Sequence, residues 1–167
     1  MGKRSEFVRR KEDSYDTPYA AIKPLLPHLP PRTRFLEPCA GKGDMVHFLQ
    51  SCGHVCVGAV DIKPREPVPD LKEHRYVSEG EGYYLHGIQK GDATKLLLHK
   101  QPYIPDMIIT NPPWTRELLH QMIFNLYWQA PTWLLFDSDW KHTQQAKPYL
   151  PMLQHEISIG RVKWIPD

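Results

Sequence analysis

The sequence predicts an α/β fold in which a mainly parallel β-sheet is covered by helices on both faces. Short apolar runs alternate along the chain with amphipathic segments, a pattern typical of parallel strands joined by crossover helices. Most of these runs end in loops that contain glycine, proline or acidic residues. With 167 residues and 41% hydrophobic content, the chain is long enough to form one domain with its own core.

The individual elements are assigned from apolar periodicity and from the residues that end each segment. Apolar residues recur at helical spacing in 44–51, and Gly53 is where that helix would end. The run at 55–60 is continuously apolar, as in a buried strand that ends at Asp61. The predicted elements, in order, are a helix over 17–29 interrupted late by prolines, a strand over 34–37, a helix over 44–51, a strand over 55–60, a third strand that begins at 85–88, a strand over 106–110, a helix over 116–129, a strand over 132–136, a helix over 141–153 and a sixth strand over 157–165.

Two segments fall outside this alternation. Residues 1–14 form a basic arm that is expected to be flexible, which leaves 15–167 as a single domain. The cations of the arm can contact nucleic-acid phosphates, although a solvated terminus is the simpler interpretation; they are Lys3, Arg4, Arg9, Arg10 and Lys11. Residues 63–86 are rich in charge, proline and glycine, and they predict a long surface loop that borders the site.

Composition argues against several classes of protein. The formal net charge is only +2, so the overall charge says little about partners. No run of about 18 apolar residues predicts a membrane span, and the N-terminus lacks the apolar stretch of a secretory signal. The three cysteines, Cys39, Cys52 and Cys56, then indicate reduced, buried thiols in a cytoplasmic protein. Together with His47 and His54, Cys52 and Cys56 do not have the spacing of a closed zinc site.

The first candidate for a ligand-binding element is the loop after the first predicted strand. Ligands of parallel sheets bind beyond the carboxyl ends of the strands. Glu37 is followed there by PCAGKGD, in which two glycines allow a sharp turn and a close approach of backbone to ligand. The loop lacks the Gly-Lys-Ser/Thr of a phosphate-binding loop and the glycine spacing of the dinucleotide fingerprint. An ordinary strand-to-helix turn explains AGKG about as well as a ligand loop does.

An acidic residue follows each of the next two predicted strands. Asp61 lies roughly 20 residues beyond the glycine loop, where a carboxylate can accept hydrogen bonds from both hydroxyls of a ribose. The alternative is an exposed acid that starts a loop. Asp92, in GDAT, can accept from the exocyclic amine of an adenine. For Asp92 taken alone, a helix N-cap or an Asx turn is the favoured interpretation.

The sharpest signal is Asn111-Pro112-Pro113-Trp114, directly after the fourth predicted strand. Two prolines cannot continue a central strand, because each lacks a backbone N–H. The Asn111 amide oxygen and the Pro112 carbonyl offer two acceptors for the two hydrogens of one amine. A conjugated amine is a poor nucleophile, and paired acceptors favour the positive charge that builds on its nitrogen during attack. Trp114 adds a flat face for a planar substrate. The alternative is a rigid turn with Trp114 in the core.

Taken together, these motifs resemble those of class I S-adenosylmethionine-dependent methyltransferases of the amino-methylating type. NPPW matches their catalytic Asp/Asn/Ser-Pro-Pro-aromatic motif, EPCAGKGD their cofactor loop, VDI their ribose-binding acid and GDAT their adenine contact. YDTPYAAIKPLLPHL resembles the N-terminal element that closes over the methionine end of the cofactor. The motif order is similar to that of DNA adenine-N6 methyltransferases of the gamma arrangement, and the resemblance covers most of 15–140.

The resemblance implies a Rossmann-like three-layer α/β/α methyltransferase fold, with a C-terminal strand hairpin that this sequence leaves incomplete. It implies S-adenosyl-L-methionine as the methyl donor, S-adenosyl-L-homocysteine as the product and no metal. The residues that it assigns to catalysis are Asn111, Pro112, Pro113 and Trp114. Those that it assigns to cofactor binding are Thr17, Pro18, Glu37, Cys39, Ala40, Gly41, Asp61, Ile62, Asp92, Ala93 and Asn111.

The implied substrate is an exocyclic amine, with adenine N6 in DNA as the leading hypothesis. Asn111 and the Pro112 carbonyl would hold the amine while the ring stacks on Trp114, and the nitrogen would attack the methyl group in line. A base in duplex DNA would have to be flipped out. The basic arm, Trp114, the 63–86 loop and the loop that carries Lys141 are the expected nucleic-acid contacts. No separate recognition domain is evident, so short-site specificity, a specificity partner or a dimer paired through an open sheet edge is expected.

Other functions stay open at this point. An RNA adenine methyltransferase or a protein glutamine amide methyltransferase would use the same chemistry, and Trp114 stands where tyrosine or phenylalanine is commoner in the DNA enzymes. A non-catalytic methyltransferase-like subunit is less favoured, because the chain keeps Glu37, Asp61, Asp92 and Asn111. A nicotinamide oxidoreductase is weaker still, because hydride transfer has no need of Asn-Pro-Pro-Trp.

Overall fold

The computed structural model describes residues 15–65, 87–101 and 103–164. Five strands form a sheet in which each neighbouring pair is parallel, as the sequence predicts. The strands are β1 (Arg34–Glu37), β2 (Val55–Asp61), β3 (Gln89–Lys90), β4 (Met107–Thr110) and β5 (Thr132–Leu134). The basic arm and residues 66–86 of the predicted loop lie outside the described part of the chain.

The helices differ in length and type. Two α-helices exceed one turn and a third is a single turn: α1 (Tyr19–Ile22), α2 (Asp44–Ser51) and α3 (Arg116–Tyr127). Shorter 3-10 helices span Lys23–His28, Ala93–Lys95, Leu98–Lys100, Ser138–His142, Gln144–Ala146 and Leu150–Met152. None of the described helices combines the length and the apolar character that crossing a membrane would need.

Two buried clusters show that the sheet is covered on both faces. Phe35 and Ile109 belong to a cluster with side chains of α1 and α2, whereas Leu36 and Ile108 belong to a second cluster with α3. Neighbouring residues of one strand point to opposite faces, so β1 and β4 each supply both clusters. The result is a three-layer α/β/α arrangement, and the continuous apolar runs of the sequence reflect strands that are buried on both sides.

The strand order is β3-β2-β1-β4-β5. The chain builds outwards from β1 to β3, then crosses back to place β4 on the other side of β1. Such a reversal opens a crevice at the carboxyl ends of the two central strands, where ligands of open parallel sheets bind. Phe35 pairs with Met107 and Leu36 with Ile108, so β1 and β4 end side by side. Glu37 and Asn111 therefore enter the same crevice.

Prolines change the first predicted helix. Residues 17–29 form one α-helical turn that continues as the 3-10 helix Lys23–His28. Pro24 and Pro27 have no backbone N–H, so they cannot make the hydrogen bonds that would extend the α-helix. The other predicted helices and strands up to β5 are present. Their ends mostly shift by one or two residues, and β3 is reduced to Gln89–Lys90.

Two predictions at the C-terminal end are wrong. Residues 141–153 do not form one helix, because Pro148 and Pro151 interrupt them, and short 3-10 helices take its place. Residues 157–164 form no strand, and Gly160 in their middle has a left-handed backbone with φ of +68°. Within the described residues the sheet ends at β5, without the sixth strand or the partial hairpin that the resemblance implies.

The three cysteines, all within the described residues, form no disulfide and lie in different environments. Cys56 in β2 is buried, as predicted. Cys52 is exposed, contrary to prediction. It occupies the C-cap position of α2, beyond the last buried residue of that helix, Leu49. Cys39 lies between these extremes, in the loop after β1.

Leu126 tests whether the second cluster stabilises the fold as its burial indicates. Its side chain is 0% exposed on α3, and Leu126→Ala should lower the free energy of unfolding by about 2–5 kcal/mol. Leu118→Ala, on the same helix but 42% exposed, is the matched control and should change it by less than about 0.5 kcal/mol. Urea unfolding followed by circular dichroism measures both, and equal losses would contradict the assignment.

Candidate active site

Three buried oxygen atoms that have no hydrogen-bond partner among the described residues lie in residues that end or follow the central strands. They are Glu37 Oε2 at the end of β1, Thr110 Oγ1 at the end of β4 and Asn111 Oδ1 just after β4. A buried polar atom without a partner costs about 1–3 kcal/mol, and in most proteins such atoms are paired. Their grouping at adjoining strand ends indicates a place where a ligand supplies missing hydrogen-bond partners.

Thr17 fixes the orientation of the Asn111 amide. Asn111 Nδ2 donates a hydrogen bond to Thr17 Oγ1 at 3.2 Å, across 94 residues of sequence. Because the nitrogen is engaged in this way, the oxygen of the amide is left as a free acceptor. Thr17 and Asn111, both predicted site residues, are therefore brought together. Pro112 behind them is buried.

Glu37 gives the crevice an unusual electrostatic character. The residue is 1% exposed. Burial raises the pKa of its carboxyl well above the ordinary value, and the negative charges of Asp61 and Asp44 raise it further. The buried Glu37 carboxyl is therefore repelled by two carboxylates that are themselves partly exposed to solvent. A cationic ligand would relieve this repulsion, whereas an anionic one would increase it.

Cys39 lies in the same acidic surroundings. Burial raises the pKa of its thiol to about 12, and the carboxylates of Glu37, Asp61 and Asp92 add to the effect. Its sulfur lies 4.0 Å from Met122 Sδ on α3. A thiol that stays protonated near neutral pH is a weak nucleophile, so Cys39 lines the site and is not suited to attack a substrate.

Asp61 holds the glycine loop against the end of β2. Gly41 N donates to Asp61 Oδ2 at 2.7 Å, and Lys63 N donates to Asp61 Oδ1 at 2.8 Å. Gly41 has a left-handed backbone with φ of +59°, which explains the glycine at this position. Each carboxylate oxygen can still accept a second hydrogen bond. Asp61 is thus anchored at the position where the sequence predicts a ribose-binding acid.

An ion-pair cluster that sequence reasoning missed covers the glycine loop. Asp16 lies 2.7 Å from Arg65 Nη2 and 3.2 Å from Lys42 Nζ. A Cβ on residue 41 would lie 2.7 Å from Arg65 Nη2, so the guanidinium packs directly on Gly41. The cluster ties the N-terminal element to the loop. Asp16 beside Thr17 and Lys42 inside the loop were the available signals, but Arg65 had none.

A hydrogen bond and a contact with a second aromatic ring hold the Trp114 side chain in place. Its Nε1 donates to the carbonyl of Leu135 at 3.3 Å, and Trp164 meets it edge-on with ring centroids 5.6 Å apart. The side chain is half-buried. Trp114 is therefore neither a core residue nor a free platform. Sequence reasoning missed Trp164, because 157–165 was assigned to a strand.

The side chain of Asp92 forms the N-cap of a 3-10 helix. Its Oδ1 accepts from Thr94 N at 3.0 Å and from Thr94 Oγ1 at 2.6 Å, which caps the 3-10 helix Ala93–Lys95. These hydrogen bonds are the main cause of the lowered pKa of Asp92. The N-cap considered from the sequence is present, and a contact between Asp92 and an adenine stays a prediction.

The remaining predicted site residues differ in their exposure to solvent and in their contacts. Ala40 and Ala93 are buried, whereas Ile62, just past β2, is 65% exposed. Lys141 pairs with Glu156, with Nζ 2.7 Å from Oε2, so its charge is already partnered. Pro18 caps α1 beside Thr17.

Comparison with known proteins adds no homologue to this description. No protein-family model matches the sequence, and neither the curated proteins nor the solved structures gave a significant match. The function is therefore inferred from the residues of the site and their geometry.

Glu37→Gln tests the electrostatic character of the crevice. A carboxyl whose pKa is raised by folding destabilises the folded state as pH rises above about 4.5, the unfolded value. The ligand-free variant should have about the same free energy of unfolding as the wild type near pH 4.5 and a higher one at pH 8. Urea unfolding at both pH values measures this difference. Glu117→Gln, at an exposed carboxylate, is the control and should change little at either pH. A Glu37→Gln variant less stable than the wild type at pH 8 would contradict the assignment.

Proposed function

We propose that this protein is an S-adenosyl-L-methionine-dependent N-methyltransferase acting on an exocyclic amine, with adenine N6 in DNA as the favoured substrate. The observation that carries the proposal is the buried Asn111 Oδ1. It has no hydrogen-bond partner among the described residues and lies where the reversal of strand order opens a crevice, while Thr17 holds the amide nitrogen. A free, oriented acceptor followed by two prolines suits the recognition of an amine.

The residues of the crevice fit the proposed cofactor. The charges of Asp61 and Asp44, which raise the pKa of Glu37, give it a negative potential that favours the sulfonium and the ammonium of S-adenosylmethionine. Asp61, anchored through the backbone of Gly41 and Lys63, keeps acceptor capacity for ribose hydroxyls. Lys42 and Arg65 are cations at the glycine loop. The carboxylate of the cofactor could form ion pairs with them.

The chain's own residues would favour methyl transfer by position and charge. S-adenosylmethionine supplies an electrophilic methyl group. Asn111 Oδ1, with the Pro112 carbonyl as second acceptor, would hold the amine hydrogens and stabilise the positive charge that develops on its nitrogen. Trp114, held in place by Leu135 and Trp164, would bear on one side of the planar substrate.

Labelled methyl donor tests the activity and the substrate class together. Purified protein is incubated with unmodified DNA, RNA and a protein extract, and nucleosides from cells that express the chain are analysed in parallel. Label in N6-methyladenine of DNA is the expected result. Label only in protein, or only in RNA, would overturn the DNA assignment, and no label in any of them would overturn the proposed activity.

Asn111→Ala tests the role of the free acceptor. Turnover should fall by about 10²–10³-fold, because the developing charge on the amine loses its acceptor. Calorimetric affinity for S-adenosyl-L-homocysteine should stay within about threefold, because the cofactor is held mainly by other residues. Asn111→Asp, which keeps an acceptor oxygen, should retain more activity. Weakened cofactor binding with unchanged turnover of the bound enzyme would contradict the assigned role.

Asp61→Ala should instead act on cofactor affinity. The variant loses the ribose acceptor and the hydrogen bonds that hold Gly41 and Lys63, so calorimetric binding should weaken by at least about tenfold, or 1.4 kcal/mol. Asp137→Ala is the matched control, because this exposed acid also follows a strand of the sheet, β5. Its affinity should be unchanged. Equal affinities for the two variants would contradict the role of Asp61.

A further inference from the structure

A shallow cavity, open to solvent, lies where the chain enters α3. Its volume is about 400 Å³. The lining residues are Arg116, Glu117, His120, Gln145, Pro148 and Tyr149. Arg116 is only two residues beyond Trp114, so their Cα atoms are at most about 7 Å apart. A unit of a polymer that lies against Trp114 therefore has its neighbour within reach of the Arg116 side chain.

One wall of the cavity is a fixed pair of flat rings. The His120 and Tyr149 rings lie 4.7 Å apart with 31° between their planes. Trp140 packs against both, and its Nε1 donates to His120 Nε2 at 3.1 Å. That hydrogen bond requires an unprotonated Nε2. Burial lowers the pKa of His120, and the charge of Arg116 lowers it further, so the wall is uncharged near neutral pH.

Arg116 supplies a cation at the mouth of the cavity. It is exposed and forms no ion pair with the residues that the structure describes. Flat rings beside a free guanidinium are the combination that binds single-stranded nucleic acids, because bases stack and phosphates pair with the cation. Glu117 lines the same cavity and opposes an anion, which makes it a useful internal control.

We propose that this cavity binds the nucleotide next to the target base. Its base would lie against Tyr149 and His120, and its phosphate against Arg116. The proposal rests on the function proposed above, since it assumes that the target amine belongs to a nucleic-acid strand. Residues 116–149 would then add a contact to single-stranded or flipped substrate beside the contacts of Asn111 and Trp114 with the target base.

Binding of an oligonucleotide without adenine tests the cavity separately from methyl transfer. Fluorescence anisotropy of labelled oligothymidylate (dT)4 gives its affinity for the full chain. Tyr149→Ala should weaken binding about tenfold, and Tyr149→Phe, which keeps the flat ring, should bind nearly as the wild type. Arg116→Ala should weaken binding and make the salt dependence shallower by about one phosphate contact. Glu117→Gln should bind as tightly as the wild type or more tightly.

The outcomes separate this proposal from the proposed function. Methylation of DNA with unchanged (dT)4 affinity in both Tyr149→Ala and Arg116→Ala would overturn the cavity assignment alone. Loss of affinity in both variants would support the cavity, even if no amine were methylated. Methylation of a peptide by a chain that does not bind (dT)4 would overturn the cavity assignment and the choice of DNA as substrate, but not the N-methyltransferase activity. Thermal unfolding checks each variant, and the exposed Arg116 keeps the test decisive if Tyr149→Ala does not fold.

Discussion

The parallel pairing of β1 with β4 is the constraint on which the site depends. The two strands are adjacent in the sheet but are separated in sequence by β2 and β3, so their pairing closes the reversal of strand order. Apolar clusters on both faces hold them in register. Because their carboxyl ends are fixed side by side, Glu37 and Asn111 each have a buried side-chain oxygen to which no described residue donates a hydrogen bond.

The sequence predicts the central part of this architecture because burial there leaves a local signature. The apolar run at 55–60 is a strand buried on both faces, and the spacing of apolar residues in 44–51 matches the buried side of α2. Apolar and polar residues alternate over much of 157–164, as in a strand, but this segment forms none, since strand formation also needs a neighbour to pair with. Pairing is a non-local property, and periodicity does not report it. The left-handed backbone at Gly160 breaks the segment further.

The same distinction between local and non-local features applies to the site. Asp61 and Asn111 are predictable, since each directly follows a strand and parallel strands share one carboxyl edge. The contact of Asp16 with Arg65 and that of Trp114 with Trp164 join residues 49 and 50 positions apart, so no local pattern marks them. Asp92 shows the reverse case, because its local pattern predicts two roles, a helix N-cap and an adenine contact. The structure displays the N-cap.

The stability of the crevice and its proposed function are opposed. Burying Glu37 beside Asp61 and Asp44 costs free energy in the ligand-free protein, and a bound cation would recover that cost as affinity. The ion pairs of Asp16 with Lys42 and Arg65 are partly exposed, and such pairs each contribute only about 0–1 kcal/mol. They can hold the N-terminal element over the loop and still exchange Asp16 for a ligand carboxylate at little cost. The acidic residues of the crevice and the cations at the glycine loop together favour a zwitterionic ligand. Its cationic groups would point towards Glu37 and its carboxylate towards Lys42 and Arg65.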